Sequence, residues 1–434
     1  MPSMQLPERI LAICRTLEEA GFTSFVVGGA VRDALLGRVP LDWDLATDAR
    51  PEELMACFPE AEVAQPQFGR IQVDGADVMS MRRDGVYRDG RHPAFISFCS
   101  DVEEDLGRRD FTVNAVAYEP ASGQWIDPYG GVKDVSLRFL RVVGDPSERF
   151  LEDHLRMLRA VRFKAVLGFS LDEKAIAAVM ENASALARVA GERIRQELDL
   201  ILLSDAVVGA FADMSAWGLL PAVLPEMEPA VGYKRGRDDL FSHCTLATQW
   251  APRRLPVRIA ALFHDVGKAQ GQATDHAQIS AERAQAALNR LGYASQVRDQ
   301  VVQLIHEHMF LYPPGSELGL MRRMVLRMGE EGVEDLLELR WADRQASSRK
   351  GMGGHAERAL SHLRQVLEEG TVISREQMAI SGRDIMDTWG IPQGPTVGRL
   401  LCALHEAVLD NPILNERETL MSMVPPLLRQ ESLP

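Results

Sequence analysis

The first twenty residues, MPSMQLPERILAICRTLEEA, carry an amphipathic pattern and predict a helix. SFVVGGAVRDALLG is an apolar run broken by two glycines and followed by helical spacing, so it predicts strand, Gly-Gly turn, helix. LDWDLAT and RIQVDGADVMSMR alternate or carry β-branched residues and predict strands, as do the shorter ISFCS and VNAVAYEP. QWIDPYGGVKDV closes this stretch with Pro and Gly turn signals. Residues of about 20–140 therefore predict a small mixed α/β domain, preceded by the helix. After Pro146 the pattern changes: Leu, Ala, Arg and Glu recur at three- and four-residue spacing, so the rest of the chain predicts helices. Gly and Pro breaks near Gly191, Pro221, Gly232, Pro313, Gly351 and Pro392 divide it into modules. The closing MVPPLLRQESLP is expected to be loosely held.

Length and composition keep the chain in the ordinary globular class. Its 434 residues allow two to four domains, and 46% hydrophobic with 25% charged residues is a usual mix. No apolar run approaches the ~20 residues of a membrane span, so no membrane partner is expected. The N-terminus lacks a basic region and cleavage site and reads as a helix, not a signal peptide. Five scattered cysteines with no CxxC pair suit a reducing cytoplasm.

Charge first argues against a nucleic-acid partner, because the net value is −14. The distribution changes that picture. Arginines concentrate at 70–91, at Arg108 and Arg109, and at 138–162, which predicts a local basic cleft. Aromatic residues are only 6%, so extensive base stacking is not expected.

The chemistry-bearing residues come in three groups. In the first, Gly28 and Gly29 lie where a strand passes into a helix, so backbone N–H groups can approach a phosphate at the helix N-terminus. Arg32, one turn on, is in reach of the same phosphate. Asp42-Trp43-Asp44 follows. On a strand, positions i and i+2 share a face, so the two carboxylates are expected to converge and to take Mg²⁺. Two metals on such a pair would activate a hydroxyl and stabilise a leaving pyrophosphate.

The second group is Glu152-Asp153-His154-Leu155-Arg156, with Asp153 and Arg156 expected as i,i+3 neighbours on one helix face. A carboxylate accepts from the exocyclic amine of cytosine or adenine, and a guanidinium donates to ring acceptors. Uracil and guanine put a carbonyl where the carboxylate wants a donor. Arg159 and Arg162 continue at the same spacing. The third group is His243, His264-Asp265, His276, His306, His308 and Asp343 in the helical half, a set suited to a divalent transition metal.

GGAVRDALLG, DWDLAT, GRRDFTVNA and RFLEDHLRMLRAVRF, in this order, resemble the class II tRNA nucleotidyltransferase and bacterial poly(A) polymerase family over about residues 20–200. The resemblance implies a polymerase-β-like head, residues 1–145, and a helical neck that binds nucleotide and RNA, 146–230. A body at 231–350 and a helical tail at 351–434 complete the expected order. It implies that Asp42 and Asp44 are catalytic metal ligands, and that Gly29 and Arg32 bind the triphosphate beside Gly28. It assigns Arg109 to the incoming nucleotide, and Asp153 and Arg156, with Arg159 and Arg162, to base choice. A third carboxylate is expected at Asp77 or Asp110. The polar, basic stretch Arg82–Pro93 resembles the family's flexible loop, which argues against an enzyme adding only cytidines.

The spacing of the third group resembles the HD phosphohydrolase family. That resemblance implies one metal on His243, His264, Asp265 and Asp343, and places His276 and His308 at a second metal or at substrate. Asp275-His276-Ala277 departs from that family's Gly-His-Glu. The leading expectation is CCA addition to the tRNA 3′ end from CTP and ATP, with a metal-dependent phosphohydrolase on the same chain. An A-adding enzyme or a poly(A) polymerase is the near alternative. An HD phosphohydrolase with an inert head is the distant one.

Overall fold

A computed structural model describes residues 4–65, 69–87, 90, 93–235, 238–270, 275–310, 317–347 and 354–431. It divides into two compact units: Met1–Glu228 with Arg290–Gly292, and Pro229–Asn289 with Tyr293–Pro434.

The first unit opens with α1 (Glu8–Glu19), whose Ile10, Ile13, Cys14 and Leu17 form a buried stripe at helical spacing. The main sheet then takes β1 (Ser24–Val27), β2 (Asp44–Thr47), β3 (Glu62–Gln65), β4 (Arg70–Val73) and β5 (Ala76–Ser80). A separate hairpin follows, β6 (Arg82–Asp84) with β7 (Ile96–Phe98). β8 (Ala117–Glu119) and β9 (Gln124–Ile126) complete the seven-stranded sheet, in the order β3-β4-β5-β2-β1-β8-β9. Only the β2–β5 pair is parallel. Side chains alternate as the pleat requires. Val26, Leu45 and Tyr118 join a core on one face with α1, while Phe25, Val27, Ala46 and Ala117 join a second core on the other.

The segment RIQVDGADVMSMR, expected as one strand, is two. Asp74 and Gly75 both take positive φ, 46° and 72°, and turn β4 back onto β5. An Asp-Gly pair between apolar alternations is the usual signal for such a turn.

Helices α2 (Gly29–Leu35), α3 (Pro51–Cys57), α4 (Val102–Gly107) and α5 (Gly131–Leu137) flank the sheet, and α6 (Pro146–Glu152), α7 (Leu155–Leu167), α8 (Glu173–Asn182), α9 (Gly191–Leu202), α10 (Val207–Ala216) and α11 (Leu220–Val223) follow. Among its described residues the second unit is mainly helical, with one short hairpin, Lys234–Arg235 against Asp238–Asp239. Its first helices are α12 (Leu240–Trp250), α13 (Leu255–Phe263), α14 (His276–Arg290), α15 (Ser295–Glu307) and α16 (Glu317–Ala346). The C-terminal segment is helical over Arg417–Glu431, where a loose end was expected. Leu420 and Val424 anchor it in a core with Leu400, Leu404 and Val408. Among the described residues, no helix is long and apolar enough to cross a membrane.

Candidate functional site

In the first unit the glycine turn and a carboxylate meet directly. Gly28 has φ 70°, and a Cβ there would lie 3.0 Å from Asp44 Oδ2 and 3.2 Å from an Arg109 terminal nitrogen. The positive φ therefore favours glycine, and a Cβ would in addition press on the ends of both side chains. Asp44 begins β2, opposite Val27 on β1 and Asp77 on β5. Burial pushes its carboxyl up; Arg109 opposes this and the Asp77 carboxylate adds to it. The i,i+2 spacing places Asp42 on the strand with Asp44, but it lies in an exposed bend before it. Trp43 is buried in the core, so the chain turns at Asp42 and leaves the strand to begin at Asp44.

Of the two candidates for a third carboxylate, Asp77 is the neighbour of Asp44. Its Oδ2 lies 2.6 Å from an Arg70 nitrogen. Asp110 is engaged elsewhere. It accepts from Arg159 at 2.8 Å, from Asn114 at 3.1 Å and from the Phe111 amide at 2.8 Å. Burial works against its charge, but Arg159 and Asn114 hold the carboxyl well below the usual range.

Arg109 shares the buried Asp105 with Arg108, and its Nε is buried with no hydrogen-bond partner. A buried guanidinium with an unused donor beside a buried carboxylate is suited to an anionic ligand. Arg32 is held on Asp33 and, at 2.8 Å, on Asn114 Oδ1, and it lies 3.6 Å from where a Gly29 Cβ would sit.

Asp153 and Arg156 do not share a helix face. α6 ends at Glu152, and Asp153 is extended, with φ −140° and ψ 105°, before α7 begins at Leu155. Asp153 is gripped by Arg193 of α9, and Arg156 by Glu152 at 2.6 Å and by the carbonyls of Arg149 and Arg108. Arg159 and Arg162 converge on the buried Glu197 of α9. Phe163 lies between them and Arg32: its ring centroid is 3.9 Å from the Arg162 guanidinium carbon and 5.4 Å from that of Arg32. Most arginines of the expected basic cleft are thus ion-paired internally, including Arg70, Arg82, Arg83, Arg141 and Arg149. Arg88, Asp89, Arg91 and His92 of the basic loop lie outside the described residues. Gly90, with φ 70°, has its carbonyl 3.2 Å from the His154 amide.

The histidines of the second unit do converge. His243 of α12, His264 at the end of α13, Asp265 and Asp343 of α16 form one group whose ligand atoms all lie within 4.8 Å; Asp265, His276 and His308 form another. Asp265 belongs to both. Its Oδ2 lies 3.4 Å from the Nε2 atoms of His243 and His264, and its Oδ1 lies 3.5 and 3.6 Å from those of His276 and His308. The Nδ1 atoms of His264 and His308 lie 2.8 and 2.6 Å from backbone carbonyls, which turns their Nε2 atoms inward. Asp265 Oδ1 is buried with no hydrogen-bond partner. Burial disfavours a charged His264, yet Asp265 and Asp343 outweigh it and push the imidazole up to about 10. Both features are those of a donor set built around a cation. His306 is exposed and outside the cluster, and Lys268, which the spacing did not single out, pairs with Asp265.

Sequence reasoning also passed over Asp105, Asn114, Arg193 and Glu197. Asn114, Arg193 and Glu197 each act on a polar side chain far along the chain, so no local pattern marks them, while Asp105 pairs with Arg108 and Arg109 at a spacing that reads as an ordinary helical ion pair.

Comparison with known proteins bears on the family and the fold. Residues 24–141 match the family described as the poly A polymerase head domain. Residues 168–231 match a probable RNA and SrmB-binding site of polymerase A, and residues 269–424 a putative tRNA nucleotidyltransferase domain 2. The chain is 32% identical to the CCA-adding enzyme of Geobacillus sp. (strain WCH70) and 31% identical to that of Geobacillus kaustophilus, over 95% of each chain. It resembles the crystal structure of the Bacillus stearothermophilus CCA-adding enzyme in complex with CTP, with TM-score 0.78, 26% identity and coverage of 98% of this chain and 99% of that one. The fold is shared with the Thermotoga maritima CCA-adding enzyme complexed with tRNA, with TM-score 0.58, 20% identity and coverage of 98% and 97%. The mixed-sheet head followed by helices is the fold of that group, and the chain belongs to the family of CCA-adding nucleotidyltransferases.

Proposed function

We propose that this protein adds CMP and then AMP to the 3′ end of tRNA, from CTP and ATP, with release of pyrophosphate and without a nucleic-acid template. The observation that carries this is the meeting of Gly28, Asp44 and Arg109, which joins a phosphate turn, a half-buried carboxylate and a guanidinium with one unused donor. Asp44, pushed up by burial and by Asp77, fits a divalent cation that would relieve both, with Asp42 and Asp77 as the neighbouring ligands. Mg²⁺ there would polarise the α-phosphate and make the tRNA 3′-hydroxyl a better nucleophile. Gly28 and Gly29 let the triphosphate approach the N-terminus of α2, while Arg109 and Arg32 offset its charge. Asp153 and Arg156 read the base edge, accepting from the amine of C or A and donating to its ring acceptors; Arg159 and Arg162 support that side of the pocket.

Purified protein, Mg²⁺ and tRNA ending before CCA, after CC, or complete, each with single labelled nucleotides, test the reading. Incorporation of AMP but never CMP would overturn it in favour of an A-adding enzyme. Unlimited adenylation would favour a poly(A) polymerase. The five unpaired cysteines fit a cytoplasmic setting.

The His/Asp cluster supports a second activity on the same chain. Its donors suit a pair of divalent transition metals, one on His243, His264, Asp265 and Asp343 and one on Asp265, His276 and His308. Such a centre is suited to hydrolysis of phosphate esters or 2′,3′-cyclic phosphates at an RNA end. The absence of metal-dependent cyclic-phosphate hydrolysis by the parent protein would sink it.

A further inference from the structure

Arg193 lies in α9, forty positions beyond Asp153, and meets it as a fork. Its Nη1 donates to Oδ1 at 3.1 Å and its Nη2 to Oδ2 at 2.8 Å. Both side chains are largely buried, 23% and 18% exposed. Asp153 stands between two helices, so neither helix fixes the direction of its side chain. The other hold on the carboxylate is the Leu155 amide, at 3.2 Å from Oδ1. A carboxylate offers about four acceptor positions. The fork and the amide use three, which leaves one for an incoming amine.

We propose that Arg193 is a specificity-determining positioning residue. It clamps Asp153 as an acceptor-only group with one free lone pair aimed at the base edge. Cytosine and adenine can then be accepted through their exocyclic amines, and uracil and guanine are refused. The inference rests on the base-reading role proposed for Asp153. Arg156 has its own holder in Glu152, so the two reading residues are fixed independently. Lysine does not substitute for a fork, because a point charge cannot set the plane of the carboxylate.

The test uses the full chain, tRNA ending before CCA, and kcat/KM for each of the four nucleotides. Parent, Arg193→Met, Arg193→Lys and Asp153→Ala are compared, with melting temperatures. We expect Arg193→Met to raise the UTP-to-CTP ratio about tenfold or more, the scale of a good bidentate base contact. Arg193→Lys should fall between it and the parent. If Arg193→Met slows all four nucleotides equally while Asp153→Ala still relaxes selection, Arg193 is a plain staple and the inference falls. If Asp153→Ala leaves the ratio unchanged, the base-reading role falls first and takes the inference with it. Should Arg193→Met fail to fold, the Arg193→Lys ratio decides: a parental ratio overturns the proposal.

Discussion

Asp44 and Asp77 stand directly opposite each other on the sheet's one parallel strand pair, and the Asp77 amide donates to the Trp43 carbonyl at 2.9 Å. Two carboxylates in adjacent register repel unless a cation lies between them. Asp44→Ala is therefore expected to abolish CMP and AMP incorporation. Asp77→Ala should lower kcat by roughly 10–100-fold, the usual scale for a residue supporting a metal site. Steady-state kinetics with titrated Mg²⁺ check this. Parental kcat for Asp77→Ala at all Mg²⁺ levels would remove Asp77 from the site.

A side chain at Gly28 would crowd the ends of Asp44 and Arg109. Gly28→Ala forces a Cβ to 3.0 Å from Asp44 Oδ2 at a backbone angle disfavoured for alanine. The strain is about 1–3 kcal/mol, and it falls on the proposed reacting groups. A drop in kcat/KM of at least tenfold with a lowered melting temperature is expected. Normal kinetics would show that this turn does not shape the site.

Asp110 is predicted to be structural. Removing it leaves the half-buried Arg159 with Glu197 as its remaining carboxylate, so Asp110→Ala should cost about 1–3 kcal/mol in denaturant unfolding. The pH dependence has a definite sign. A carboxyl depressed in the folded state stabilises above its unfolded pKa of about 4 and loses that contribution as pH falls below it. The parent should lose stability below about pH 4 more steeply than Asp110→Asn. Superimposable curves would refute this.

The histidine cluster makes a separable prediction. His264→Ala/Asp265→Ala should abolish metal-dependent 2′,3′-cyclic phosphate hydrolysis and reduce bound transition metal, measured by elemental analysis. Nucleotide addition should be unchanged. Unaltered metal content would refute the centre.

The sequence revealed what depends on local pattern. The Gly-Gly turn, the alternation in β1 and β2, and the spacing of the histidines are carried by neighbouring residues, and the structure brings them together. Asp42 and Asp153 were misplaced because both sit where an element ends. Period arguments extend a strand or helix across such points. Arg193, Glu197 and Asn114 were missed because their partners lie tens of residues away, and only the tertiary fold makes them neighbours.

The interruption at Asp153 has a consequence for how such an enzyme stores its message. In the middle of a helix, the side chain's direction would be locked to the apolar stripe that packs the helix. Between two helices, on the proposed reading, that direction is set by the grip of Arg193 and the Leu155 amide. The alphabet written onto RNA then rests on one junction residue and its holders, outside the apolar stripes that pack α6 and α7.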